Sequence, residues 1–510
     1  PGVTDNGDGM TYTFDPAAAG IGTHTITYTY TDANGCSDSA SDDVEVLDLP
    51  TVMINDPADE CVVGSAIQFT GSPTPMAGTS GVFTSDATAG FTDDTDGTAT
   101  LDPATAGPGT YTVTYIYTDA SGCTASAMTT VEIYGLDFGD LDAPYPTAGM
   151  GAASHCVPAS PIIKMGATVD IETDGVPSVD ADGDGADEDG FDPMAYMFVR
   201  GQAQDVTVDV MNMTGGMAKL VLYIDWDDNG DFTGPNEMYD VMVPDMATTA
   251  TLSGVTPPAG AVINQNLAVR FRLSTDAMAV MSPGGNAPDG EVEDYLIQVM
   301  AFDYGDLVDS GTGTAEQDYN TTSADMGPSH KIVTDDMGNP ILKIGATIDD
   351  ELDGQASDAA DGDGADEDGF DPANVMFVTG QSVDLTIPVM NMTGGDAKLT
   401  LYIDWNNNGD FNDPGEMYFV TVADGDTEAV LAGIVPPLDA TLNDDLGFRL
   451  RLTTDMAMSP TGPAPDGEVE DYEVMVMGFD YGDLADAGAG TGEQDYETEA
   501  ANGGPSHKII

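Results

Sequence analysis

Positive charge is nearly missing from this sequence. Its 510 residues hold 11 Lys and Arg against 90 Asp and Glu, a formal net charge of −79. The first basic residue is Lys164. Nucleic acid is excluded as a partner, because its phosphates would be repelled, and anionic membrane surfaces are disfavoured on the same ground. No apolar run reaches about 18 residues, so no transmembrane helix and no membrane insertion are expected. Helical periodicity is almost missing too. There is no secretory leader pattern, and the start at Pro1 reads as a cut or processed end. Tryptophan occurs twice, as Trp226 and Trp405, and cysteine four times.

What the chain has in abundance is Asp, 71 of the 90 acidic residues. Asp is a poor helix former, a good turn residue and a short oxygen ligand for tight calcium loops. Hydrophobic residues make up 41%, which is enough for packed cores and unlike a disordered acidic tail. The length allows roughly three to four domains.

Two repeat families organise the chain. Gly22 to Cys36 (GTHTITYTYTDANGC) matches Gly109 to Cys123 (GTYTVTYIYTDASGC). The period-two Thr, Tyr, Val and Ile pattern reads as strand, and Asp-Ala-Asn-Gly as turn. Such a unit, of about 85 to 90 residues, suggests an immunoglobulin-like sandwich. The second family repeats at about 177 residues. Its landmarks are DFGDL at 137–141 and FDYGDL at 302–307 and 479–484, then Ser-His-Cys at 154–156 and Ser-His-Lys at 329–331 and 506–508. An Asp-rich line follows at 180–193 and 358–372, then MNMTGG…YIDW…NGDF at 211–232 and 390–411, and APDGEVEDY at 287–295 and 464–472. Apolar residues alternate throughout, as in Val269, Phe271 and Leu273 against Arg270 and Arg272. The expected fold class is therefore all-β, with tandem β-sandwich domains in series. The expected units are 1–47 (the C-terminal part of an Ig-like domain), 48–135 (a complete one), 136–300 and 301–477 (two long repeats) and 478–510 (the start of a third).

The long unit resembles the GEVED domain of bacterial secreted surface proteins. The matching residues are FDYGDL, the ADGDGADEDG line, the IDW-x-x-NGDF loop, the Arg-Phe-Arg-Leu strand and GEVEDY. The shorter unit is similar to Ig-like YTYTDANGC repeats of large secreted proteins of Bacteroidetes-type bacteria. The resemblance implies jelly-roll-like sandwiches, export by the type IX route, an extracellular or cell-surface location, and no enzymatic activity. Cys156 departs from the pattern, standing where the other copies carry Lys331 and Lys508.

Calcium is the expected ligand at two places per long unit. After the IDW strand, Asp225, Asp227, Asn229 and Gly230 follow the spacing that opens an EF-hand loop, with Asp231 and Glu237 beyond. The second copy has Asp404, Asn406, Asn408, Asp410 and Glu416. The plainer alternative is an Asx-rich hairpin turn. The Asp-rich line offers Asp182, Asp184, Asp187 and Asp189, and again Asp361, Asp363, Asp366 and Asp368. So many carboxylates would repel in a folded loop unless a cation or a saline habitat screened them.

Ten of the eleven cations sit at repeat-matched positions, which suggests structural counter-ions. GEVEDY is expected to pair with the arginine strand, so that Glu291 and Glu293 face Arg270 and Arg272, and Glu468 and Glu470 face Arg449 and Arg451. The recurring His155, His330 and His507 lack a matching nucleophile or zinc set and read as structural. Cys61 and Cys123, near the start and end of the complete Ig-like unit, are expected to form a cross-sheet disulfide in an oxidising exterior. Cys36 would then find its partner upstream, and Cys156, with no obvious partner, would be a free thiol or an intermolecular link.

The leading functional expectation is a structural or adhesive segment of a very large secreted protein: a calcium-stiffened fibre or appendage for attachment, gliding or contact with another cell. Its partners would be neighbouring domains and further copies in a homo-oligomeric fibre or bundle. The alternative is a set of carbohydrate- or protein-binding modules. A hydrolase is disfavoured, because every candidate residue recurs with its domain.

Overall fold

The computed structural model describes every residue except 184–188, 363, 365, 366, 485 and 487–495. Among the described residues the fold is all-β, with two four-residue helices, Pro16–Ala19 and Pro103–Ala106, as the only α-helical turns. No helix among them is long and apolar enough to cross a membrane. Asp184, Asp187, Asp363 and Asp366 lie outside the described residues.

The Gly22–Thr31 and Ser37–Val46 strands form a ten-pair antiparallel hairpin. Its turn is built by Asp32, whose Oδ1 accepts the Asn34 and Cys36 amides at 2.9 Å. Asp119 does the same for Ser121 and Cys123 in the next copy. That copy closes as a sandwich. Met53–Ile54, Ile67–Ser72, Thr98–Leu101 and Phe91–Asp93 form one sheet, and Ser80–Ser85, Gly109–Thr118 and Thr124–Phe138 belong to the other. Phe69, Phe83, Val113, Tyr115 and Val131 fill the space between.

Thr124–Phe138 does not stop at the unit's edge. Its first part pairs with Gly109–Thr118, and Gly135 to Phe138 pair with Ala153–Val157 of the long unit. The boundary expected at residue 136 thus falls inside a continuous strand. Glu60–Cys61 runs parallel to the same strand, placing Cys61 opposite Tyr134, while Cys156 lies opposite Leu136. Residues two apart on a strand share a face, so the two cysteines meet, and the disulfide is Cys61–Cys156. This corrects the expected Cys61–Cys123 link. Cys123 sits at the hairpin tip beside the Thr118–Thr124 pair, eleven residues from Tyr134, which is roughly 36 Å at strand rise. Cys123 and the exposed Cys36 are free thiols.

Each long unit packs a three-stranded sheet on a four-stranded one. In the first, Ile163–Met165, Gln204–Asn212 and Thr249–Val255 face Met238–Val243, Ala218–Ile224, Leu267–Ser274 and Glu291–Ile297. Val206, Val208, Leu220, Leu222, Phe271 and Trp226 make the core. The second unit repeats this order, with Leu385, Leu399, Leu401, Leu450 and Trp405 among its core residues. The units are also joined to each other. Arg200 bridges to Asp350 at 2.9 Å, and the Asn264 amide donates to the Ile332 carbonyl at 3.0 Å. Asn443 and Ile509 repeat the latter contact at 3.2 Å.

Candidate cation loops and the buried arginine layer

Along Leu267–Ser274 every residue is buried. Val269, Phe271 and Leu273 enter the sandwich core as alternation predicts. Arg270 and Arg272 point the other way, yet both are completely buried, because the loops around 137–155 and 275–290 cover that face. Arg270 grips Asp294 with two parallel bonds of 2.7 Å and donates to the Pro146 and Pro283 carbonyls and to Thr147 Oγ1, each at 3.0 Å. Arg272 donates to the Ser282, Gly284 and Gly285 carbonyls and, through Nε, to His155 Nε2 at 3.1 Å. These bonds satisfy the charges that burial strips of water.

The expected pairing of Glu291 and Glu293 with these arginines is therefore corrected. The reason is register. Opposite Arg270 stands Asp294 and opposite Arg272 stands Val292, while Glu293 and Glu291 stand opposite Phe271 and Leu273 on the other face. Glu291 accepts the Met165 amide. Glu293 accepts the Gly190 amide at 3.0 Å and the Tyr295 hydroxyl at 3.0 Å, and burial pushes its carboxyl up to about 8. Both glutamates thus tie the Asp-rich loop and the neighbouring sheet to GEVEDY. The second unit follows suit: Arg449 holds Asp471 at 2.7 Å, Arg451 meets His330 at 2.9 Å, Glu468 takes the Ile344 amide and Glu470 the Gly369 amide. Gly290 is required where the motif opens. Its φ is +90°, and a Cβ would lie 1.8 Å from the Leu273 carbonyl oxygen.

His155 and His330 join the same layer, while His507 is exposed. His155 Nδ1 bonds the Asp289 carbonyl at 2.8 Å, and Nε2 faces the Arg272 donor. Nδ1 therefore carries the proton, and Nε2 accepts. Burial, and then the Arg272 charge, hold its pKa well below the usual value, and His330 is held likewise beside Arg451.

The loop between Ala218–Ile224 and Met238–Val243 brings Asp225, Asp227 and Glu237 together, with one oxygen of each within 4.8 Å of the others. Trp226 anchors the loop: its ring is buried against Phe198, and its Nε1 donates to the Asn236 carbonyl at 2.8 Å. Asp225 Oδ2 accepts the Gly230 amide and the Tyr145 hydroxyl. Asn229 and Asp231 do not join the group. Asn229 Oδ1 accepts the Asp231 amide, and Asp231 is exposed and takes up Thr233. Burial, with Asp225 and Asp227 nearby, raises Glu237.

In the second copy the group is Asp410, Asp413 and Glu416. Asp404 is buried under Tyr319, which donates to it at 3.1 Å. The amides of Asn406 and Asn408 donate to Asp413 at 2.7 and 3.0 Å, and burial pushes Glu416 up to about 7. Asn406 stands where the first copy has Asp227, and Asp413 where it has Gly234. Asn407 likewise replaces Asp228, so the second loop has lost two carboxylates and gained one. Asp413 escaped the spacing argument because it lies outside the D-x-D-x-N-G frame.

The described part of the Asp-rich line is engaged locally. Asp182 Oδ1 accepts the Ser178 hydroxyl at 2.8 Å, and Asp361 that of Ser357 at 3.0 Å. Asp189 accepts the Ala167 and Thr168 amides, and Asp368 those of Ala346 and Thr347. A further trio, Asp137, Asp170 and Glu172, brings oxygens within 4.8 Å. Asp137 lies in the DFGDL landmark, but Asp170 and Glu172 carried no motif that could have flagged them.

No curated protein matches the chain. Among solved structures, a Ca2+-stabilized adhesin that helps an Antarctic bacterium reach out and bind ice is similar at 11% identity, over 89% of this chain and 81% of that one, with a TM-score of 0.23. A 1.5-MDa bacterial ice-binding adhesin is similar at 14% identity, over 84% and 99%, with a TM-score of 0.23. SGBP-B of the Bacteroides ovatus mixed-linkage glucan utilization locus, in complex with a mixed-linkage heptasaccharide, is similar at 12% identity, over 88% and 73%, with a TM-score of 0.13. The GEVED domain family model matches twice, once within each long repeat. The chain therefore carries two GEVED domains, at residues 219–298 and 398–475.

Proposed function

We propose that this chain is a structural, adhesive stretch of a large secreted surface protein, in which calcium stiffens β-sandwiches placed in series. The observation that carries the reading is the trio Asp225, Asp227 and Glu237, with a second trio, Asp410, Asp413 and Glu416, in the equivalent loop, where only the glutamate holds the same position. An all-oxygen donor set of this kind suits a hard cation. In each trio the glutamate is buried beside other carboxylates, which is costly without a cation, and burial, then the neighbouring charges, raise Glu237 and Glu416. Calcium would be held by these trios, and it would tie the loop to the strand that follows. The GEVED domains, the tandem joints and the acid-dominated surface suit a place outside the cell, reached by the type IX route, with further copies assembling into a fibre or bundle. The reading includes no catalysis, since each candidate residue recurs once per unit.

The test is calorimetric titration of the whole chain with Ca2+, paired with melting and electron micrographs with and without a chelator. A melting temperature and particle shape that ignore the chelator would sink the calcium part. Compact monomers at all concentrations would sink the fibre.

A binding-module reading has one observation in its favour. An open groove of about 610 Å3 beside Phe191, Tyr196 and Tyr295 is rimmed by Asp192 and Asp209, and a similar one of about 630 Å3 lies beside Phe370 and Tyr472. Glycan-array binding lost on Tyr196→Ala would favour it.

A further inference from the structure

The disulfide joins two different units. Cys61 lies near the start of the Ig-like sandwich, and Cys156 in the opening hairpin of the first long unit, a sequence separation of 95. Both are buried, packed with Leu136, Phe138 and Ala152 under the strand that crosses the joint. The intervening segment contains almost the whole Ig-like core, including Ile67, Phe69, Phe83, Val113, Tyr115 and Val131. Met53–Ile54, ahead of Cys61, pairs only with Gly71 and Ser72, so a pull detaches that two-residue strand first and, without the bond, next opens the sandwich at Glu60–Cys61, which is held by a two-residue parallel pairing.

We propose that the Cys61–Cys156 bond is a load bypass. Once Met53–Ile54 has peeled from Gly71 and Ser72, tension along the chain crosses from Cys61 to Cys156 through the sulfurs, and the residues between them carry none of it. The protected sandwich has the smallest core of the three, and small cores are the least stable. The next joint is built otherwise. The residue matching Cys156 is Lys331, and the contacts are non-covalent, through Asn264 to Ile332 and Arg200 to Asp350. Load there passes through the larger sandwich itself. The usefulness of a bypass rests on the reading of the chain as a load-bearing fibre; its existence does not.

Single-molecule stretching of the whole chain, held at its two ends, tests this. The fully unfolded oxidised chain should be shorter by about 330 Å than the same chain treated with a dithiol reductant, at ~3.5 Å per trapped residue. A Cys61→Ser/Cys156→Ser variant should show the longer contour without reductant. Cys36→Ser/Cys123→Ser should keep the deficit. Equal lengths with and without reductant overturn the proposal, as does a deficit of about 215 Å, which a Cys61–Cys123 bond would give. Contour length is read on the unfolded chain, so the comparison with reductant stands even if the serine variants fold poorly. None of these lengths depends on calcium or on fibre formation, so the two readings fail separately.

Discussion

Arg272 donates through Nε to His155 Nε2 at 3.1 Å, and both side chains are completely buried. This contact requires a neutral imidazole, because a protonated one would present a second donor to a cation. The unfolded chain binds the extra proton below about 6.5, whereas the fold holds His155 neutral to well below that. Stability present above 6.5 therefore drains as pH falls. With Trp405→Phe, so that Trp226 alone reports, urea melts should show wild type losing about 1.4 kcal/mol per pH unit relative to His155→Gln below pH 6.5. Parallel pH profiles for the two would refute it.

Glu293 runs the other way. Its folded value of about 8 lies above the ordinary 4.5, so its contribution is complete below the unfolded value and is lost as pH rises through 8. Glu293→Gln should lose that dependence and gain on wild type between pH 5 and 9. Melts in which wild type and variant keep a constant gap would count against it.

Asp294 neutralises Arg270 where neither touches solvent. Asp294→Ala leaves a buried guanidinium uncompensated and should cost roughly 3–5 kcal/mol. Adding Arg270→Met should recover part of that loss, because the stranded charge goes with it. Losses that simply add would show that the pair is not coupled.

Gly290 cannot accept a side chain: its φ is +90° and the Leu273 carbonyl blocks the Cβ. Gly290→Ala should cost at least about 1–3 kcal/mol. Gly215, also at positive φ but with open space around it, should lose only the backbone strain of Ala there, roughly 1–2 kcal/mol, and so less than Gly290. Equal penalties at the two sites would contradict the steric argument.

The two candidate cation loops differ in their carboxylates: Asn406 and Asn407 replace Asp227 and Asp228, and Asp413 replaces Gly234. Asp227→Asn should reduce any Ca2+-induced rise in melting temperature, and adding Gly234→Asp, the carboxylate that the second copy gained, should restore it. Failure of the pair to restore the rise would mean that Asp413 does not substitute for Asp227.

Much of this was legible locally. Tyr, Thr and Val alternation from Gly109 to Thr118 dictates strand, Asp119 dictates its turn, and the spacing of Asp225 to Gly230 marks the loop. These signals need only nearest neighbours. Glu237 was found because it follows within the same hairpin. Asp137, Asp170 and Glu172 were not all found, because strand and loop segments apart in sequence bring them together.

The sequence by itself determined that the chain is a series of β units, where their turns fall, and which strand carries two arginines. Tertiary structure decided which carboxylate meets them. Asp294 and Glu293 differ by one position, and only the pairing register of two strands selects the face. It decided too that Cys61 joins Cys156. Both flank a strand that continues from one unit into the next, and no pattern within either unit encodes that crossing.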